Sequence, residues 1–127
     1  NREQGSSEVV SALEAAMGQA SKHPAGKNKP WTHLDSIRSL GDGCMAAEAL
    51  SIAVYCVLAC DDPFDALITA ANHDGNSNAT SSICGAIEGT RFGTKFLPGF
   101  WLENLEDSKL IDTMAVKLYE TWQKEQA

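Results

Sequence analysis

The chain has 127 residues and a formal charge of −7. That length fits one domain, able to bury about two-thirds of its unfolded surface. The acidic balance leaves no basic footprint for nucleic acid or for an anionic membrane, so neither is expected as a partner.

The chain opens on Asn1 with the polar run "NREQGSS", which reads as the edge of a fragment of a longer protein. A first helix is predicted from about Ser7 to Lys22. Val9, Val10, Leu13, Ala16, Met17 and Ala20 recur there at three- and four-residue spacing and make one apolar stripe. The run "HPAGKNKP" breaks that pattern by turn chemistry. "WTHLDSIRSL" predicts a short helix with Trp31, Leu34, Ile37 and Leu40 on one side. After the "GDG" break at Gly41–Gly43, Met45 to Cys60 is apolar almost all round, with Glu48 and Ser51 as exceptions. Such a helix belongs at the centre of a bundle. It is too short to cross a membrane, which takes about 20 apolar residues.

Asp62 followed by Pro63 is a helix-start signal, and Phe64, Leu67, Ile68 and Ala71 form the stripe of that helix. The next helix is predicted from about Ser77 to Phe92. Gly85, Gly89 and Gly93 are spaced four apart along it, which predicts close approach of another helix or of a ligand to that face. A final helix is predicted from about Asp107 to Lys124, with Leu110, Met114, Leu118 and Trp122 along its inner side. No strand pattern occurs, so the fold class is all-α, a compact multi-helix bundle and a single domain over residues 1–127.

Cys44, Cys56, Cys60 and Cys84 lack CxxC spacing, and three of them sit in apolar runs. They read as reduced thiols and point to the cytoplasm. The loop "NHDGNSN", from Asn72 to Asn78, admits four readings. Asn76 or Ser77 makes a helix cap. A calcium loop fails, because Ala79 and Gly85 stand where glycine and glutamate are needed. Glycosylation at Asn78-Ala79-Thr80 conflicts with a cytoplasmic chain. A magnesium site at a helix start needs carboxylates, whereas Asn76 and Asn78 bring carboxamides. His73 is a lone loop histidine, a candidate base or a capping residue. Asp61 and Asp62 read as capping groups rather than paired acid and base. No Ser-His-Asp order and no phosphate-binding Gly-rich loop after a strand is present.

The stretch "LGDGCMAAEALSIAVYCVLACDDPFDALITAANHDGNSNATSSICGAIEGTRFG" resembles the C-terminal part of the ADP-ribosylglycohydrolase family. The resemblance rests on the Gly41-x-Gly43 break, the alanine-rich helix with Glu48, Tyr55 and Cys56, and the acidic helix with Phe64. It continues through the Asn72-to-Thr80 loop, the Ile83, Gly85, Gly89, Gly93 helix, and Pro98, Trp101, Leu102 and Leu105. It implies an all-α fold, a binuclear Mg²⁺ site, and hydrolysis of the glycosidic bond between ADP-ribose and an acceptor. It also implies substrate-binding positions at Gly41, Gly43, Cys44, Asp74 and Gly75.

Two departures stand beside the matches. Family members are much longer, and their first half supplies a "GD-xxG" segment and a Thr/Ser-Asp-Asp ligand group that this chain lacks. The family's metal-binding Asp-x-Asp-Ser/Thr falls on Asn76, Asn78 and Ala79, a set of degraded ligand positions. The expectations are therefore weak or absent Mg²⁺ binding, no intact catalytic residue, and a chain inactive by itself. The alternative is a pseudoenzyme that binds ADP-ribose or another protein. The expected partner is the missing N-terminal half, or a partner chain, covering the apolar and glycine face.

Overall fold

The computed structural model describes residues 2–23 and 30–126, with side chains described from residue 7 except at 30 and 31. Among the described residues the elements are helical, and no strand occurs. In chain order they are α1 (Arg2–Ala20), a 3₁₀ turn (Pro30–His33), α2 (Leu34–Leu40), α3 (Ala46–Ala59), α4 (Pro63–Ala71), α5 (Ser77–Phe92), α6 (Gly99–Glu103) and α7 (Ser108–Gln126). The all-α expectation holds. The chain falls into two compact units, Asn1–Phe96 and Leu97–Ala127.

In the first unit α3 is the central element, and α1, α2, α4 and α5 pack on it. Ile52, Ala53, Tyr55, Cys56 and Ala59 of α3 are buried with Ala16 of α1, Ile37 of α2, Ala66 and Ala70 of α4, and Cys84 of α5. Most of these side chains are small, which lets four helices crowd one axis at native packing density. Ser51, a polar exception of α3, is buried because its hydroxyl donates to the Ala12 carbonyl of α1 at 2.8 Å. The other exception, Glu48, sits in the first turn of α3, where a carboxylate suits the helix dipole.

Helix starts follow their capping chemistry. The Asp62 side chain accepts from the amides of Phe64 and Asp65, with Pro63 at the first helical position. Asn76 Oδ1 accepts from Ala79 N at 3.3 Å and opens α5.

Several expected faces differ from those observed. Of the α1 stripe, Ala16 is buried, whereas Val9, Val10 and Met17 are exposed. In α4 the buried positions are Ala66, Thr69 and Ala70, while Phe64, Leu67 and Ile68 are only half-buried. Trp31 lies outside the residues whose side chains are described. The expected close approach at the α5 glycines is not made among the described residues. A Cβ on Gly85 would meet Leu67 Cδ1 at an ordinary 3.6 Å, and one on Gly89 or Gly93 would meet nothing within 4 Å.

The second unit holds α6 and α7. The short α6 was not anticipated, because five residues carry no periodicity. Along α7, Leu110, Met114, Leu118 and Trp122 are exposed rather than on an inner side, Leu118 at 74%.

Candidate functional site

Two loops meet in the first unit. One joins α2 to α3 through Gly41, Asp42 and Gly43; the other joins α4 to α5 through residues 72–76. Asn76 N donates to the Asp42 carbonyl at 2.6 Å. Gly75 lies against the same peptide, so that a Cβ there would collide with the Asp42 carbonyl oxygen. Gly41, at φ +123°, lies under the Glu48 side chain, and a Cβ there would sit 2.8 Å from Glu48 Oε2. Glu48 Oε2 in turn accepts from Asp42 N at 3.3 Å.

Between the loops and α2 lies an open cleft of about 430 Å³, lined by Ile37, Arg38, Gly41, Asp42, Glu48, His73, Asp74 and Gly75. Arg38 donates from Nε and Nη2 to Asp74 Oδ2 at 3.0 and 2.7 Å. This bond holds the Asp74 carboxyl below the usual carboxylate range and raises the guanidinium. Asp42 is likewise held low, chiefly by the Cys44 amide, which donates to its Oδ1 at 2.8 Å. Hydrogen bonding to Asp42 raises the exposed Cys44 thiol, which disfavours its thiolate.

His73 is fastened at both nitrogens. Gly75 N donates to Nδ1 at 3.0 Å, so the proton resides on Nε2, which donates to Thr80 Oγ1 at 2.8 Å. The buried Thr80 hydroxyl in turn donates a hydrogen bond to the Ala70 carbonyl at 2.8 Å. Burial lowers the His73 pKa and favours the neutral ring. The imidazole thus buckles the loop and has no free nitrogen to act as a base.

Of the sequence-predicted positions, Gly41, Asp74 and Gly75 line the cleft. Gly43 is buried against Thr80, and Cys44 is exposed outside the lining. Sequence reasoning missed Arg38, Asp42 and Ile37 as cleft residues. Glu48 had carried a signal as a carboxylate inside an apolar helix, and His73 another as a lone loop histidine.

The degraded ligand positions offer little to a dication. The Asn76 side-chain oxygen is turned back to cap α5, Asn78 is an exposed carboxamide, and Ala79 has no side-chain oxygen. The nearest carboxylate in sequence, Asp74, is bound to Arg38. Among the described residues no group of three His, Cys, Asp or Glu side chains could hold a metal ion. The residues present therefore do not fit the binuclear Mg²⁺ site that the resemblance implies.

The family profile described as ADP-ribosylglycohydrolase matches residues 2–127. The chain belongs to the ADP-ribosylglycohydrolase family. An uncharacterised protein of Archaeoglobus fulgidus is 33% identical over 67% of this chain and 27% of its own length. Human ADP-ribosylhydrolase ARH3 is 27% identical over 73% of this chain and 29% of its own length. ADP-ribosylarginine hydrolase Tri1 of Serratia proteamaculans is 29% identical over 67% of this chain and 22% of its own length. This ADP-ribosylglycohydrolase chain thus spans less than a third of each of these relatives. No solved structure matches it.

Proposed function

We propose that this chain is a non-catalytic portion of an ADP-ribosylglycohydrolase-like protein, inactive by itself in hydrolysing the bond between ADP-ribose and an acceptor. One observation carries the reading: the carboxamide at Asn76 caps its own helix, beside Asn78 and Ala79. A hydrolytic site built on dications needs anionic oxygens converging on one point, and carboxamides supply no charge. A glycosidase using its own side chains needs a carboxyl with a raised pKa to protonate the leaving group. The cleft carboxyls with a shift, Asp42 and Asp74, are both held low.

The cleft sets three carboxylates, Asp42, Glu48 and Asp74, against one guanidinium. A pyrophosphate therefore meets net negative charge, which weakens any hold of this cleft on ADP-ribose. The retained role is as an interaction domain. Its partner is the remainder of a longer chain, or a separate chain, lying on the apolar and glycine face. Buried Cys56 and Cys84 as free thiols suit the cytoplasm. Among the described residues no helix is long and apolar enough to cross a membrane.

The test is release of ADP-ribose from an ADP-ribosylated peptide by the purified 127-residue chain, with and without Mg²⁺. Release should match the no-protein control. Turnover above that control would overturn the reading.

A further inference from the structure

The first unit holds a cluster of titratable rings that the cleft does not use. His33 caps the start of α2 without any side-chain capping bond, and it is fully buried. Its Nδ1 lies 2.7 Å from the Tyr55 hydroxyl of α3. Its Nε2 is buried with no hydrogen-bond partner among the described residues. The His23 ring stands 5.1 Å from it, centroid to centroid, and is tied through Nε2 to Ser36 Oγ of α2 at 2.8 Å. The His23 and His33 rings both meet the Tyr55 ring edge-on.

A neutral His33 fits this arrangement at the expense of one orphaned nitrogen. A protonated His33 does not fit, because both nitrogens then donate and, among the described residues, only the Tyr55 oxygen is there to accept. The other groups on the packed elements offer the charge no relief. On α2, Asp35 and Arg38 are exposed and face each other at 3.6 Å. On α4, the only acid is Asp65, which is exposed. On α3 and at its C-terminal end, Tyr55, Cys56 and Cys60 are all held neutral by burial, and Glu48 is at the far end beside Gly41. Besides the neutral Tyr55, the titratable group close to the ring is His23, which repels it when charged.

We propose that the His23–His33–Tyr55 cluster is an acid-sensitive latch that fastens α2, and with it one wall of the cleft, to α3. Below the range where free imidazole titrates, His33 can take up a proton only by leaving the cluster. α2 then loosens from α3. Ile37, Arg38 and Gly41 lie on or directly after α2, so the cleft loses that wall, and Arg38 loses its hold on Asp74. Burial first, and then His23, lowers the His33 pKa. The sign follows from linkage: a histidine whose folded pKa is depressed binds more protons when released, so closure weakens as the pH falls below about 6.5.

The test is hydrogen exchange of the α2 amides in the 127-residue chain, from about pH 7.5 to about pH 5. Protection factors in α2 should fall by up to about thirtyfold across that range while those of α3 hold. The ceiling is the linkage of one proton over the roughly 1.5 units between the free-imidazole range near 6.5 and about pH 5. His33→Gln, which cannot titrate, should flatten the profile. Should that variant fail to fold, His23→Asn serves, because removing the repelling ring should move the His33 titration midpoint upward by NMR. α2 protection independent of pH in the parent would overturn the proposal. So would a His33 midpoint at or above that of free histidine.

Discussion

Single glycines divide sharply by what surrounds them. Gly75 is wedged against the Asp42 peptide, and the obstacle is backbone, which cannot rotate aside. Gly75→Ala should destabilise the chain by about 1–3 kcal/mol, the usual range for overpacking. Gly89 lies within α5 with open space where a Cβ would go. Gly89→Ala should instead stabilise by about 0.5–1 kcal/mol through helix propensity. Thermal melts of the two variants beside the parent check both signs. Equal shifts in one direction would mean that the loops do not meet as described. The spacing of Gly85, Gly89 and Gly93 had suggested a tight helix crossing. Spacing reports which residues share a face, but it cannot report whether anything stands opposite.

At the scale of elements, the sequence was most readable where one residue's chemistry decides a boundary. Asp62 with Pro63 fixed the start of α4, and Asn76 fixed that of α5, because a cap and a ring-locked φ act locally. The start of α1 was missed by several residues, because "REQGSS" has helical backbone without an apolar period. The cleft was legible only in part. Gly41, Asp74 and Gly75 were named in advance and His73 was weighed as a loop base, but Arg38 and Asp42 become lining residues only when the two loops meet across long stretches of chain. The loop after α4 also carries a test of its ancestry. Asn76→Asp, Asn78→Asp and Ala79→Thr together should raise affinity for Mn²⁺ or Mg²⁺ at least about tenfold, since each carboxylate adds a full charge close to the ion. Calorimetry giving the same weak binding before and after would leave the loop as a helix cap and nothing more.

For the whole molecule, the outstanding surface is the apolar side of α7. Leu110, Ile111, Met114, Leu118, Tyr119 and Trp122 are each at least half exposed. Patches of this kind on soluble chains mark contact surfaces. The isolated chain should therefore associate with itself at micromolar concentration, and Leu118→Lys with Trp122→Glu should restore a monomer. Sedimentation showing a monomeric parent under those conditions would count against this. A different consequence follows from the single bond between Asp42 and Asn76. It joins the ends of a segment that contains the whole of α3 and α4, so it closes only after both helices have formed and docked. Contacts of such separation tend to arrive late in folding. The cleft is then among the later parts of the first unit to assemble and among the earlier to come apart. A lesion there, such as the one at Gly75, should speed unfolding while leaving the refolding rate almost untouched.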